Sequence, residues 1–167
     1  MAVRPILIFP DRHLSQPART VQYFGPKLDT LIQDLMDTLR STPGVGLAAP
    51  QIGVMERVSV IDFSRMKKKL KPAPCQDVRV LINPILLSGS GIQVPREGCL
   101  SIPDLLANVR RYEEVRVRIQ DQMGAELILT ASGFEALALQ HEMDHLDGKL
   151  FIDRVLNLKT DVFRRKT

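Results

Sequence analysis

The segment His141-Glu142-Met143-Asp144-His145 constrains this chain more than any other feature, because it sets two imidazoles four residues apart in a stretch of helical spacing. Four residues make slightly more than one turn, so both rings leave one face of a helix with Glu142 beside them. Counting back from His141 by threes and fours meets Ala138, Leu137 and Phe134. That stripe is apolar, so the two histidines are predicted on the side of the helix that faces the core. Buried polar groups require partners, and two imidazoles on one buried face can share a metal ion. Ser132 and Glu135 have the spacing of a capping box, and Gly148 suits a C-terminal cap, which predicts a helix from Ser132 to about Asp147.

The rest of the pattern supplies a frame for that helix. A second amphipathic helix is predicted over 26–41, with Leu28, Leu31, Ile32, Leu35, Met36 and Leu39 on one side, Pro26 in its first turn and Thr42-Pro43-Gly44 as its stop. Residues 57–62 and 78–87 have strand character, separated by a basic, proline-containing loop over 67–74. Val115, Val117 and Ile119 alternate with polar residues, and Asp121-Gln-Met-Gly124 turns the chain into 126–130, a hairpin with one wet face. Strands and helices do not alternate regularly. The prediction is therefore a compact α+β domain spanning residues 1–167, with antiparallel or mixed sheets around the helix that carries residues 141–145 and an amphipathic helix in the N-terminal half.

At 167 residues with 44% hydrophobic content, such a domain can bury a core without disulfide staples. Cys75 and Cys99 do not resemble a secreted disulfide framework. The first ten residues are too short an apolar run for a signal peptide, and no stretch approaches the roughly 20 apolar residues that span a bilayer. A reducing compartment and no membrane partner are expected. The net charge is +4, but it is local: eight of the 23 Lys+Arg lie at Arg65, Lys67, Lys68, Lys69, Lys71, Arg164, Arg165 and Lys166, leaving 15 against 19 Asp+Glu. Clusters of this kind are mostly solvated loops or tails, so DNA is not expected as a partner.

A catalytic zinc-type site has three protein ligands and one open position, and the third ligand is not adjacent to the histidines. An H-x-x-G-x-x-H continuation fails at Phe151, and no glutamate follows Glu142. Among downstream aspartates Asp153 is the least unfavourable. Upstream, Cys99 in Glu97-Gly-Cys-Leu-Ser101 offers a thiolate beside a glycine that permits close backbone approach, and is the better third ligand. A further segment, 44–53, has glycine and alanine spacing that lets backbone pass close to a ligand, with Gln51 as a neutral donor in an apolar run. It lacks the Gly-Lys-Ser/Thr ending of a phosphate-binding loop.

With Gly44-Val-Gly-Leu-Ala-Ala-Pro-Gln51-Ile52, Glu97-Gly-Cys-Leu-Ser101 and Gln140-His-Glu-Met-Asp-His145 in that order, the sequence resembles the peptide deformylases. The likeness extends to Ile6–Asp11, Ile82-Asn83-Pro84 and the segment ending at Asp153. It implies an α+β fold and removal of the N-formyl group from nascent formyl-methionyl peptides, with release of formate. By the same resemblance Cys99, His141 and His145 would bind one divalent metal, Fe(II) physiologically with zinc, nickel or cobalt able to substitute. Glu142 would be general base and acid, Gln51 and the Leu100 N–H would stabilise the oxyanion, and Gly46 would offer backbone hydrogen bonds to the substrate. A cytoplasmic, bacterial-type setting follows, although a phage-encoded or processed organellar copy would have the same sequence features.

From the residues themselves, Phe134, Leu137 and Ala138 form a stripe leading to His141 that a methionine side chain could lie along, with Val45 opposite. The chain departs from many relatives in carrying Leu106 where a polar or aromatic residue is common. It also ends soon after Asp153, which leaves Arg164-Arg165-Lys166 as the part able to touch ribosomal RNA. Two other readings compete. One is a zinc peptidase with Asp153 as third ligand, and the other is a closed structural site in which Cys75 is a fourth ligand.

Overall fold

The computed structural model describes residues 2–74 and 76–166. The predicted N-terminal helix is α1, Pro26–Arg40, with Ser41 as its C-terminal cap. The strands are β1 Gly46–Ala48, β2 Val58–Asp62, β3 Val78–Ser90, β4 Arg96–Cys99, β5 Ile102–Asn108, β6 Glu114–Gln120, β7 Glu126–Ser132 and β8 Val162–Arg164. A second helix, α2, runs Gly133–Leu146. The strands form two antiparallel sheets, one of five in the order β1-β2-β3-β6-β7 and one of three in the order β4-β5-β8. This is the expected α+β arrangement. The short strands β1, β4, β5 and β8 had no period-2 signal long enough to announce them.

Side-chain alternation explains where the helices lie. In β2 and β3, Val58, Val60 and Ile82 join the apolar face of α1, while Ile61 and Leu81 point the other way and pack with Leu139 and Met143 of α2. Successive strand residues face opposite sides, so covering both faces buries every residue of β2. Val115, Val117 and Ile119 of β6 also face α2, and the polar residues between them stay wet as predicted. The β7 strand is the sheet edge, with Leu127 and Ile128 exposed. At Asn83, whose φ is 50°, β3 buckles and its register with β6 shifts. The Asn83 side chain holds the bend by bonding Val21 N and O and the Gln120 side chain.

The α2 helix lies between the two sheets, packed on β1, β2 and β7 on one side and meeting β4 through its histidines on the other. Its predicted capping box does not form. Ser132 makes no side-chain bond to the helix, and Glu135 is buried facing Arg79 of β3 at 3.9 Å. A charge that must be buried is held by an opposite charge in preference to a local backbone bond. The start of the helix is tied to neighbouring strands instead, through Gly133 N to Glu113 O and Gln93 Nε2 to Gly133 O. Its end matches expectation: Gly148 has φ 75°, and a Cβ there would meet the Gln16 carbonyl carbon at 2.7 Å. No helix among the described residues is long and apolar enough to cross a membrane.

Candidate active site

Cys99 ends β4, and the two-residue turn Leu100-Ser101 returns the chain as β5. The turn places the Cys99 sulfur 3.3 Å from His145 Nε2. Donor atoms of Cys99, His141 and His145 all lie within 4.8 Å of one another. His141 directs Nδ1 at Glu97 Oε1, 2.8 Å away, which leaves Nε2 as the nitrogen that could face an ion. A carboxylate on the outer nitrogen is the usual way a metal-binding histidine is oriented. One sulfur and two imidazoles suit zinc, iron, cobalt or nickel. Glu142 Oε2 and His145 Nδ1 are buried without a hydrogen-bond partner among the described residues. These observations fit a metal ion.

Glu142 is buried beside the two histidines, and burial pushes its carboxyl above the ordinary range despite the nearby imidazoles. Gly46 of β1 packs directly on it. A Cβ at Gly46 would lie 2.8 Å from the Glu142 carboxyl carbon and closer still to Oε1, so only glycine lets the carboxylate occupy this position. Cys99 is held well below the usual thiol range: burial opposes ionisation, but the imidazoles of His145 and His141 outweigh it.

Gln51 is buried in the 3-10 turn Ala49–Ile52. Its Oε1 accepts from Ala48 N at 2.9 Å, which turns the amide so that Nε2 donates to Ser101 Oγ at 3.1 Å and points at the Cys99 sulfur, 3.6 Å away. The Leu100 N–H stands at the turn between β4 and β5, outside their ladder. A cleft of about 450 Å³ opens over these groups, and Val45, Phe134, Leu137 and Ala138 line it together with Gly46. The predicted site residues, drawn from β1, the Ala49–Ile52 turn, the β4–β5 turn and α2, thus converge on one cleft.

Behind the histidines runs a buried chain of charge. Arg111 donates Nε and Nη2 to the two oxygens of Glu97 at 2.7 and 2.9 Å, and Nη1 to Asp144 Oδ2 at 2.6 Å. Arg154 closes the far end with two bonds to Asp144 at 3.0 and 2.7 Å. Burial alone would raise the Glu97 carboxyl, but bonds from Arg111 and His141 bring it down to about 2. Glu97 is therefore a fixed anion against His141.

The sequence model of polypeptide deformylase matches residues 3–161. The chain belongs to this family. Deformylation of nascent polypeptides is the family's function, and the chain is a metal-dependent hydrolase of that kind. The peptide deformylase of Xylella fastidiosa strain M12 is 45% identical over 99% of this chain and 95% of its own length. The crystal structure of the Legionella pneumophila peptide deformylase is 44% identical, with a TM-score of 0.84 over 95% of this chain and 89% of that one. A Met-Ala-Ser-bound deformylase from Acinetobacter baumannii is 31% identical and also superposes with a TM-score of 0.84, over 92% of this chain and 99% of that one.

Several features of this deformylase were not apparent from local sequence. Glu97 and Asp144 stand inside the quoted motifs, yet their partners Arg111 and Arg154 are reached only through tertiary packing. Asp153, the alternative third ligand, is exposed and accepts from Leu150 N at 2.8 Å, so it caps a turn and is not in the donor cluster. Cys75, on which the closed-site alternative depends, lies outside the described residues. Arg65 is not a solvated member of its basic cluster: it donates to the carbonyls of Gly44 and Thr42 and braces the cleft loop. Lys67, Lys68, Lys69 and Lys71 are exposed.

Proposed function

We propose that Cys99, His141 and His145 hold one divalent metal ion, Fe(II) in the cell with zinc, nickel or cobalt able to replace it. The substrate is an N-formyl-methionyl nascent peptide and the product formate. The observation that carries this assignment is the convergence of three donor atoms within 4.8 Å beside a buried Glu142, at the end of an apolar-lined cleft. When bound, the ion polarises the formyl carbonyl and acidifies water at its open position. Glu142 takes the proton of the attacking water on its carboxylate and delivers it to the departing amine nitrogen. Its burial suits both tasks, because a carboxyl raised above its ordinary range is a stronger base and still releases a proton.

Gln51 Nε2 and the Leu100 N–H supply the donors for the oxyanion that forms as the formyl carbon becomes tetrahedral. Because its carbonyl is pinned by Ala48 N, the Gln51 amide needs no reorganisation at that moment. Phe134, Leu137, Ala138 and Val45 form the slot for the methionine side chain, and Gly46 presents its backbone to the peptide. The Met-Ala-Ser complex of the Acinetobacter relative supports this class of substrate. The described chain acts as one catalytic unit in the cytoplasm. The exposed Arg164, Arg165 and Lys166 are available for a transient ribosome contact.

The test is formate release from formyl-Met-Ala-Ser by anaerobically purified protein with its metal quantified. About one metal per chain and rapid release are expected, with Cys99→Ser losing metal while Asp153→Ala and Cys75→Ser keep it. A fully metallated protein that releases no formate would sink the assignment. Gln51→Ala is expected to keep its metal and lower kcat by about 10²–10³-fold, the usual cost of one oxyanion donor. A loss below tenfold would remove Gln51 from that role.

A further inference from the structure

The cleft lining also carries two exposed cations, and one of them comes from the C-terminal segment. Arg96 and Arg165 both line the cleft together with Gly98 and Pro103. The β8 strand pairs with β5, matching Phe163 to Leu106 and Arg164 to Leu105. The Arg165 N–H then donates to Asp104 O at 2.8 Å. This register lays the Arg165 guanidinium against Gly98, the residue before the ligand Cys99, in the space a Cβ there would occupy. Leu106 fills the adjoining space: its Cδ2 would lie 2.9 Å from the same Cβ. The same strand holds the second cation, since the Phe163 ring lies under the Arg96 guanidinium at 4.1 Å.

Neither arginine is neutralised by a side chain of the described residues. Among the described residues no carboxylate lies within ion-pair distance of Arg96 or Arg165. Asp104, the acidic residue bonded to Arg165, meets it through its backbone carbonyl. The acidic groups nearest the cleft, Glu97 and Glu142, are buried, and Glu97 is engaged by Arg111 and His141. Two exposed, unpaired guanidiniums at the mouth of a substrate cleft raise the local concentration of anionic groups and repel cationic ones. On the proposed function, a peptide with its formyl group at Cys99, His141 and His145 and its methionine in the apolar slot would continue along the cleft that Arg96 and Arg165 line.

We propose that Arg165, with Arg96, makes this deformylase prefer peptides bearing a carboxylate on the residues after formyl-methionine. The inference rests on the proposed function of the cleft. The C-terminal strand thereby determines specificity at a wall where β5 itself contributes the apolar Leu106.

The experiment measures kcat/KM of the metal-loaded enzyme on formyl-Met-Ala-Asp-amide, formyl-Met-Ala-Asn-amide and formyl-Met-Ala-Lys-amide, at low salt and at high salt. Exposed ion pairs are worth about 0.2–1 kcal/mol, so attraction of Asp and repulsion of Lys together predict an Asp/Lys ratio of roughly tenfold. The ratio should arise in KM more than kcat, because the contact is remote from the reacting bond, and should shrink at high salt. Arg165→Gln should bring it to about threefold and Arg165→Glu should bring it to one or invert it, with Arg96→Gln acting in the same direction as Arg165→Gln. Comparing formyl-Met-Ala-Ser with its amide separates a terminal carboxylate from an acidic side chain as the preferred source. Each ratio is internal to one variant, so partial loss of activity does not obscure it. Arg165→Glu with an unchanged ratio overturns the proposal, and is the outcome expected if the tail serves only RNA. Failure of wild type to hydrolyse even the Asn peptide would instead count against the deformylase roles assigned above.

Discussion

Glu142→Gln should retain its metal and lose about 10⁴-fold in kcat on formyl-Met-Ala-Ser, the upper end of what general acid–base catalysis contributes. The substitution is nearly isosteric, so packing against Gly46 survives and the three proposed ligands are untouched. What disappears is the carboxylate proposed to accept and return the proton. An amide has no such capacity at any accessible pH, so raising the pH should not restore the rate. Metal content and single-turnover formate release decide the matter together. A metallated variant retaining a tenth of wild-type activity would show that proton transfer runs through another group.

Arg111→Met should be the most destabilising change outside the ligand cluster. It removes three charged bonds at once, leaving buried Glu97 with His141 and buried Asp144 with Arg154. Breaking a buried pair from one side costs about 3–5 kcal/mol, which for a chain of this length lowers Tm by roughly 10–15 °C. Glu97 then no longer orients His141, and metal affinity should fall about 10–100-fold. The sign of the pH dependence follows from the same bonds. Folding depresses the Glu97 pKa from 4.5 to about 2, so the stabilisation is complete above about pH 4.5 and is lost as pH falls toward 2. That difference is on the order of 3 kcal/mol. Urea unfolding of the metal-free protein at pH 7 and pH 3 should show about 2 kcal/mol of this loss in wild type and a much smaller one in Arg111→Met. Equal acid sensitivity in both would mean the Glu97–Arg111 pair does not govern it.

Local periodicity was sufficient for α1, for the β6–β7 hairpin and for the helix carrying His141 and His145, because the spacings that define them repeat within a few residues. The placement of Glu142 beside two imidazoles was legible for the same reason. The capping box was misjudged because Glu135 had a distant competitor, Arg79, that no local rule counts. Gly46 was identified as a close-approach glycine, although what approaches it, the Glu142 carboxylate, comes from nearly one hundred residues away.

By itself the sequence determined which side chains are candidates for the chemistry and which helix face turns to the core, since those properties depend on side-chain type and on the 3.6-residue repeat. Tertiary structure alone decided that Glu97, Arg111, Asp144 and Arg154 form one buried chain and that Arg165 reaches Gly98, and it brought Cys99, the third donor the sequence already favoured over Asp153, to the histidines. Each of these couples segments far apart in the chain. Their meeting depends on strand register and on the burial energy of the whole core, and neither is encoded within any single window of residues.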